Sequence, residues 1–217
     1  MHNNPNPYED PEVRRALGTT FRPGGLKLTE QALAHCRLVP GAAILDIGCG
    51  AGATLALLSS RGMHPLGLDL SDLLLAEASR CAPVIKADAC RLPIRGNRMD
   101  AVFLECVLCL LNNQGVALAE SYRSLKPGGF LILSTAWIRP HGLATLEKQV
   151  RETGFSIEHK EDHSRELVEM GIRLVWALGS GECMHRLLTP PGCTADMEGA
   201  GHNKYGYVLL IARKPSP

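Results

Sequence analysis

Aromatic side chains are scarce in this sequence. Only ten of its 217 residues are Phe, Trp or Tyr, although 45% are hydrophobic, so a core must be built mainly from Leu, Val, Ile and Ala. Net charge is nearly absent too: 23 Lys and Arg against 22 Asp and Glu leave a formal charge of +1. That balance excludes a protein that coats nucleic acid or anionic membrane by charge alone. No apolar run approaches the roughly 20 residues needed to cross a bilayer; the best candidate, residues 101–111, has Glu105 in its middle. Residues 1–13 have neither the basic start nor the apolar stretch of a secretory signal. The eight cysteines, at 36, 49, 81, 90, 106, 109, 183 and 193, are therefore expected to be reduced thiols rather than a disulfide framework, and the expected location is the cytoplasm. Disorder is excluded by the high hydrophobic fraction and the low charge, and the length suits one compact domain.

What the sequence does contain is an alternation of short apolar runs and amphipathic stretches. The first 25 residues are rich in Pro, Asn and Gly, and an ordered helix is expected only from about Leu26. Strands are expected at residues 43–47 (AILDI), 64–70, 83–87, 100–104, 130–135, 155–160 and 205–213. Helices are expected after Gly52, at 72–80 behind an N-capping Ser71, at 114–125 and at 142–152. Lys126-Pro-Gly-Gly reads as a sharp stop and turn, and residues 179–203 as a loop-rich insert. Strands alternating with helices of this size imply βαβ units in a parallel sheet covered on both faces, an α/β doubly wound fold.

In open α/β sheets ligands sit at the carboxyl ends of the strands. The first strand is followed by Asp46-Ile-Gly48-Cys49-Gly50-Ala-Gly52. Such a turn lets a ligand approach the backbone, and the helix start behind it offers free N–H donors. The glycines run G-x-G-x-G, with Ala53 where the dinucleotide fingerprint has its third glycine. Asp46 suits a cationic ligand group better than a pyrophosphate. Asp69 ends the second strand 19 residues after Gly50, where a carboxylate can accept both hydroxyls of a ribose.

Together these features resemble the class I S-adenosylmethionine (SAM)-dependent methyltransferases of small-molecule type, similar to the quinone-biosynthesis and arsenite methyltransferase groups. The resemblance rests on residues 45–52 (LDIGCGAG), 67–71 (GLDLS), 86–93 (KADACRLP), 99–108 (MDAVFLECVL) and 125–134 (LKPGGFLILS), in the family's order and spacing. It implies a seven-stranded sheet with the last strand antiparallel, and one domain made of residues 1–40 (N-terminal lid and helix), 41–136 (SAM-binding core) and 137–217. It implies that Asp46, Gly48, Cys49 and Gly50 surround the methionine end of SAM. Asp69 would grip the ribose, Leu70 would lie beside the adenine, and Asp88 with the Ala89 amide would read the adenine edge. Glu105 and Cys106 would lie near the reacting methyl, where the most similar methyltransferases often have Arg, Asn or His. The implied reaction is methyl transfer to a small molecule with S-adenosylhomocysteine as product, and with no nucleic-acid or membrane partner. No catalytic residue and no metal ligand is assigned.

Other readings stay open on these residues. Cys106-Val-Leu-Cys109 has no second pair at zinc spacing; its cysteines are either small hydrophobes in an apolar turn, or Cys106 lies at the mouth of the site with Cys90. Cys183 and Cys193 in the insert would suit a soft acceptor such as trivalent arsenic. His141, His159, His163, His185 and His202 are candidate bases, with His141 preferred because it follows the fifth strand. Arg22-Pro-Gly-Gly either closes over the methionine end or is a plain helix entry. Arg91, Arg95 and Arg98 read as a solvated turn and Tyr205 as a packed strand residue. An NAD(P)-dependent oxidoreductase and a non-catalytic SAM-binding module are the alternatives of another class.

Overall fold

The computed structural model describes residues 6–179, 182–189 and 204–216; of Glu182, Cys183 and His185 it describes the backbone only. Order begins earlier than the composition of the first 25 residues suggests. A 3-10 turn at Pro7–Glu9 leads into α1 (Pro11–Leu17), where Asp10 accepts from the amides of Glu12 and Val13 and Pro11 stands at the first helical position. Proline loses nothing there, because that N–H has no intrahelical partner in any case. α2 (Gly25–Cys36) follows, burying Leu28, Thr29, Ala32, Leu33 and Cys36.

Strands and helices then alternate: β1 (Ala43–Ile47), α3 (Ala53–Ser60), β2 (His64–Asp69), α4 (Asp72–Ala78), β3 (Val84–Lys86), β4 (Met99–Glu105), α5 (Gln114–Ser124), β5 (Leu125–Ile138), α6 (Gly142–Glu152), β6 (Ser156–Asp162), α7 (Ser164–Leu178), α8 (Glu182–Leu188) and β7 (Tyr205–Arg213). Ser71 caps α4 as expected, its hydroxyl accepting from the Leu74 amide at 3.1 Å. The sheet has seven strands in the order β3-β2-β1-β4-β5-β7-β6. β7 runs antiparallel to both of its neighbours, and the other pairings are parallel.

Successive side chains on a strand point to opposite faces, and here both faces are buried. Leu45, Ile47, Val102, Leu104, Leu131, Leu133, Val208 and Leu210 pack on one side. Ile44, Phe103, Ile132, Leu209 and Ile211 pack on the other. This is why the central strands read as unbroken apolar runs rather than as an alternation.

Three expectations need correction. Lys126-Pro-Gly-Gly does not end a segment: β5 runs through it, and the pairing with β4 shifts from Met99↔Leu125 to Ala101↔Phe130 across it, so the four residues form a bulge. The insert at 179–203 is not wholly loop, since α8 occupies part of it. α7 was passed over altogether. It buries Leu167, Met170 and Leu174 and ends on Gly179 in the left-handed conformation, but it has no side-chain cap at its start and carries Gly171 at mid-helix, so the local start signal is missing.

Phe103 is fully buried at the sheet centre. Phe103→Ala is expected to cost about 3–5 kcal/mol, read as a lower urea midpoint at unchanged slope.

Candidate functional site

The turn after β1 is set by two close approaches. Gly48 has φ +71°, and a Cβ there would stand 2.2 Å from Val107 Cγ2; Gly52 has φ +89°, and its Cβ would stand 2.9 Å from Ala78 Cα. Any side chain at either position would collide with its neighbour as well as strain the backbone. The turn is tied to β2 as well. The Gly48 and Cys49 amides both donate to the Leu68 carbonyl, at 2.6 and 3.0 Å. Asp69 brackets two elements, with Oδ2 accepting from the Gly50 amide and Oδ1 from the Ser71 amide, both at 2.9 Å.

Over this turn lies a cavity of about 430 Å³. Gly48, Cys49, Gly50, Asp69, Leu70, Asp88, Ala89 and Glu105 line it, so the structure gathers eight of the nine residues singled out from sequence. Leu70 is 63% exposed, an apolar side chain left uncovered on the cavity wall. Asp46 is the ninth. It is buried in the sheet, does not line the cavity, and its Oδ2 has no hydrogen-bond partner among the described residues. Burial, then the neighbouring Glu105 charge, pushes its carboxyl up to about 8 against the pull of Arg22.

Arg22 does more than enter a helix. Its Nη2 lies 2.6 Å from Thr29 Oγ1, 3.0 Å from Thr54 Oγ1 and 2.9 Å from Glu105 Oε2. The Thr29 and Thr54 hydroxyls each donate to Glu105, at 2.8 Å. The Glu105 carboxylate is thus fully engaged by protein.

Cys106 lines the cavity and Cys90 does not. The Cys106 thiol is held protonated by its hydrogen bond to Cys109 and by burial, while that same bond lowers Cys109. Both sulfurs sit among Leu28, Leu187 and Tyr207 in a packed apolar cluster, as small hydrophobes do. Among the described residues no group of three or more His, Cys, Asp or Glu is placed to hold a metal. His141 precedes α6 at the surface, His159 packs against His35 at 4.7 Å, and His163 is buried between Glu161 and Glu166. None of the three lines the cavity. The side chains of Cys183 and His185, and Cys193 and His202 entirely, lie outside the described residues. Arg91, Arg95 and Arg98 are exposed, and Tyr205 packs beside the cluster that holds Tyr207.

Sequence reasoning did not find the rest of the wall. Tyr8 and Phe21 come from the N-terminal segment, Leu110 and Leu111 from beyond β4, and Arg186 and Thr189 from α8 and the residue after it. Only Asp10-Pro11, a helix-start signal, could have shown that the N-terminal segment is ordered.

A glycine turn, a strand-end carboxylate and a half-open cavity at the carboxyl edge of a doubly wound sheet suit a nucleotide-containing cofactor. Comparison with known proteins narrows the class. Residues 45–133 match the methyltransferase domain family. The demethylmenaquinone methyltransferase of Mycobacterium bovis is 35% identical over 98 residues, which cover 45% of this chain and 42% of that protein. Among solved structures, phosphoethanolamine N-methyltransferase 2 of Haemonchus contortus, in complex with phosphomonomethylethanolamine and S-adenosylhomocysteine, has a TM-score of 0.73 at 22% identity, covering 94% of this chain and 56% of that one. The [4+2]-cyclase SpnF has a TM-score of 0.70 at 24% identity, covering 88% and 82%. The chain spans 58% and 42% of the length of the first curated relatives it matches. The match at residues 45–133 is to a methyltransferase domain, and the chain shares the fold of these solved structures.

The raised Asp46 carboxyl has a consequence for stability. The folded chain holds its proton more tightly than the unfolded one, whose carboxyl titrates near the ordinary 3.8. The contribution is therefore full below about pH 4 and is lost as pH rises through about 8. Asp46→Asn, neutral at every pH, is expected to flatten the fall in melting temperature between about pH 5 and 8. An unchanged slope would mean that Asp46 is already ionised in the folded chain.

Proposed function

We propose that the chain binds SAM in the 430 Å³ cavity and transfers its methyl group to a small-molecule acceptor. The observation that carries this reading is the coincidence of the methyltransferase-domain match at residues 45–133 with the cavity wall. Gly48, Cys49, Gly50, Asp69, Leu70, Asp88, Ala89 and Glu105 belong to both.

The residues present fit the cofactor. The bare backbone at Gly50, where a Cβ would meet nothing nearer than the Phe21 ring at 3.7 Å, gives an amino-acid chain room to lie against the turn. Asp69 spends one lone pair of each oxygen on backbone amides, which leaves acceptor capacity on both for the two hydroxyls of a ribose. Leu70, uncovered on the wall, and Ala89 supply apolar surface for an adenine, and Asp88 supplies an acceptor at its edge. When bound, SAM supplies a methyl group already activated on a sulfonium.

The protein's task is then to hold an acceptor in line with that methyl and to keep water away, and alignment alone is a large share of the acceleration. The acceptor side is walled by Tyr8, Phe21, Cys106, Leu110 and Leu111, with Arg186 and Thr189 at its margin. This mixture suits a small, partly apolar molecule rather than a polymer. Because a [4+2]-cyclase shares the fold, the fold by itself does not dictate methyl transfer; a chain that binds SAM without turning over is the reading to test against.

Thermal shift and calorimetry are expected to show stabilisation by SAM and S-adenosylhomocysteine and none by NAD. Asp69→Ala is expected to weaken S-adenosylhomocysteine about 100-fold or more, the value of two charge-assisted hydrogen bonds at about 1.5–3 kcal/mol each. A radiolabelled-methyl screen over thiols, arsenite, phenols, quinols and amines then identifies the acceptor. Binding with no methylated product on any acceptor would overturn the transferase reading while leaving the cofactor site standing.

A further inference from the structure

Glu105 stands at the end of β4, on the cavity wall, where its carboxylate could be taken for a group that works on the methyl or its acceptor. Its hydrogen bonds argue otherwise. Oε1 accepts from Thr29 at 2.8 Å, and Oε2 accepts from Thr54 at 2.8 Å and faces Arg22 Nη2 at 2.9 Å. The side chain is 2% exposed. Three partners from the N-terminal segment, α2 and α3 converge on this one carboxylate.

Arg22 is in the opposite condition. Its side chain is 10% exposed, its hydrogen bonds to Thr29 and Thr54 and its ion pair with Glu105 all pass through Nη2, and its Nε is buried with no partner among the described residues. A desolvated guanidinium N–H without an acceptor is costly unless a ligand completes it. Arg22 lines the cavity, so a ligand bound there can reach its guanidinium. The carboxylate of an α-amino acid group is an acceptor of the charge and shape that a guanidinium binds.

We propose that Glu105 is a positioning residue, which with Thr29 and Thr54 aims the Arg22 guanidinium at the carboxylate of the amino-acid end of the cofactor. The inference rests on the SAM reading and adds to it the roles of two residues outside the glycine turn. It also joins two parts of the wall. Thr19, Thr20 and Phe21, next to Arg22, line the same cavity, and the Phe21 ring lies 6.3 Å from that of Tyr8. Holding Arg22 therefore holds the acceptor side as well.

The test compares two ligands by calorimetry on the full chain. S-adenosylhomocysteine has the amino-acid end, and 5′-methylthioadenosine has the same nucleoside and thioether without it. Arg22→Met and Glu105→Gln are each expected to weaken S-adenosylhomocysteine about tenfold or more and to leave methylthioadenosine within about twofold. Removing one member of a buried pair can unfold a chain, so the double variant Arg22→Met/Glu105→Gln, which buries no charge at this pair, is measured beside them. It is expected to show the same selective loss, and Arg22→Lys a partial recovery. Equal weakening of both ligands, or none in any variant, would overturn the positioning role alone. A wild-type chain that binds neither ligand would overturn the cofactor reading and this inference with it.

Discussion

The cavity depends on one steric constraint, the contact between a backbone that has no side chain and the elements around it. Gly48 lies against Val107 beyond β4, and Gly52 against Ala78 at the end of α4. With a Cβ at either place the turn would be forced away from its neighbours. The remaining features follow from that placement. The Gly50 amide reaches Asp69, Asp69 in turn reaches Ser71, and the ends of β1 and β2 are joined by hydrogen bonds into one edge of the site.

Beneath that edge the chain keeps an expensive arrangement. Asp46 and Glu105 are buried close to a single cation, Arg22. Desolvating charge costs several kcal/mol per ion, and a buried pair often returns less stability than an apolar replacement of the same volume. Stability is therefore a poor reason for this cluster, and recognition is a better one. A site that must hold a carboxylate needs its cation in place beforehand, and here Glu105, itself satisfied by the Thr29 and Thr54 hydroxyls, fixes Arg22. Cys106 and Cys109, by contrast, are explained by packing among Leu28, Leu187 and Tyr207. Their spacing in the sequence resembles a metal motif, but their surroundings are those of small hydrophobes.

Much of the fold was legible in the sequence because its signals are local. The strand at residues 43–47, the helix at 142–152 and the Ser71 cap are found where the pattern of residues puts them, and the last strand is antiparallel as the family resemblance implies. The failures have local causes too. α1 was hidden by a proline- and asparagine-rich composition, although Asp10-Pro11 was its start signal. α7 has no side-chain cap and a glycine at its centre, so it exists because Leu167, Met170 and Leu174 find a core to enter. The Lys126-Pro-Gly-Gly run carries every sign of a turn. β4 and β5 pair on both sides of it, and the chain accommodates the extra residues as a bulge.

The candidate site divides in the same way. The glycine turn, Asp69, Leu70, Asp88 and Ala89 follow strand ends, and the position of a strand end in a parallel sheet already says which side faces the ligand. Sequence alone was enough to put these on the cavity wall. What it left open was Arg22, which could equally have been a helix entry, and the work of Glu105. Thr29 and Glu105 lie 76 residues apart and meet at 2.8 Å. No period, cap or motif encodes that meeting, because it is produced by α2 and α3 packing against the sheet that carries β4. Short-range preferences chose the elements and exposed the cofactor turn. The pairing of buried charges, and with it the identity of the residues that close the cavity, was decided only when distant segments were brought into one desolvated space.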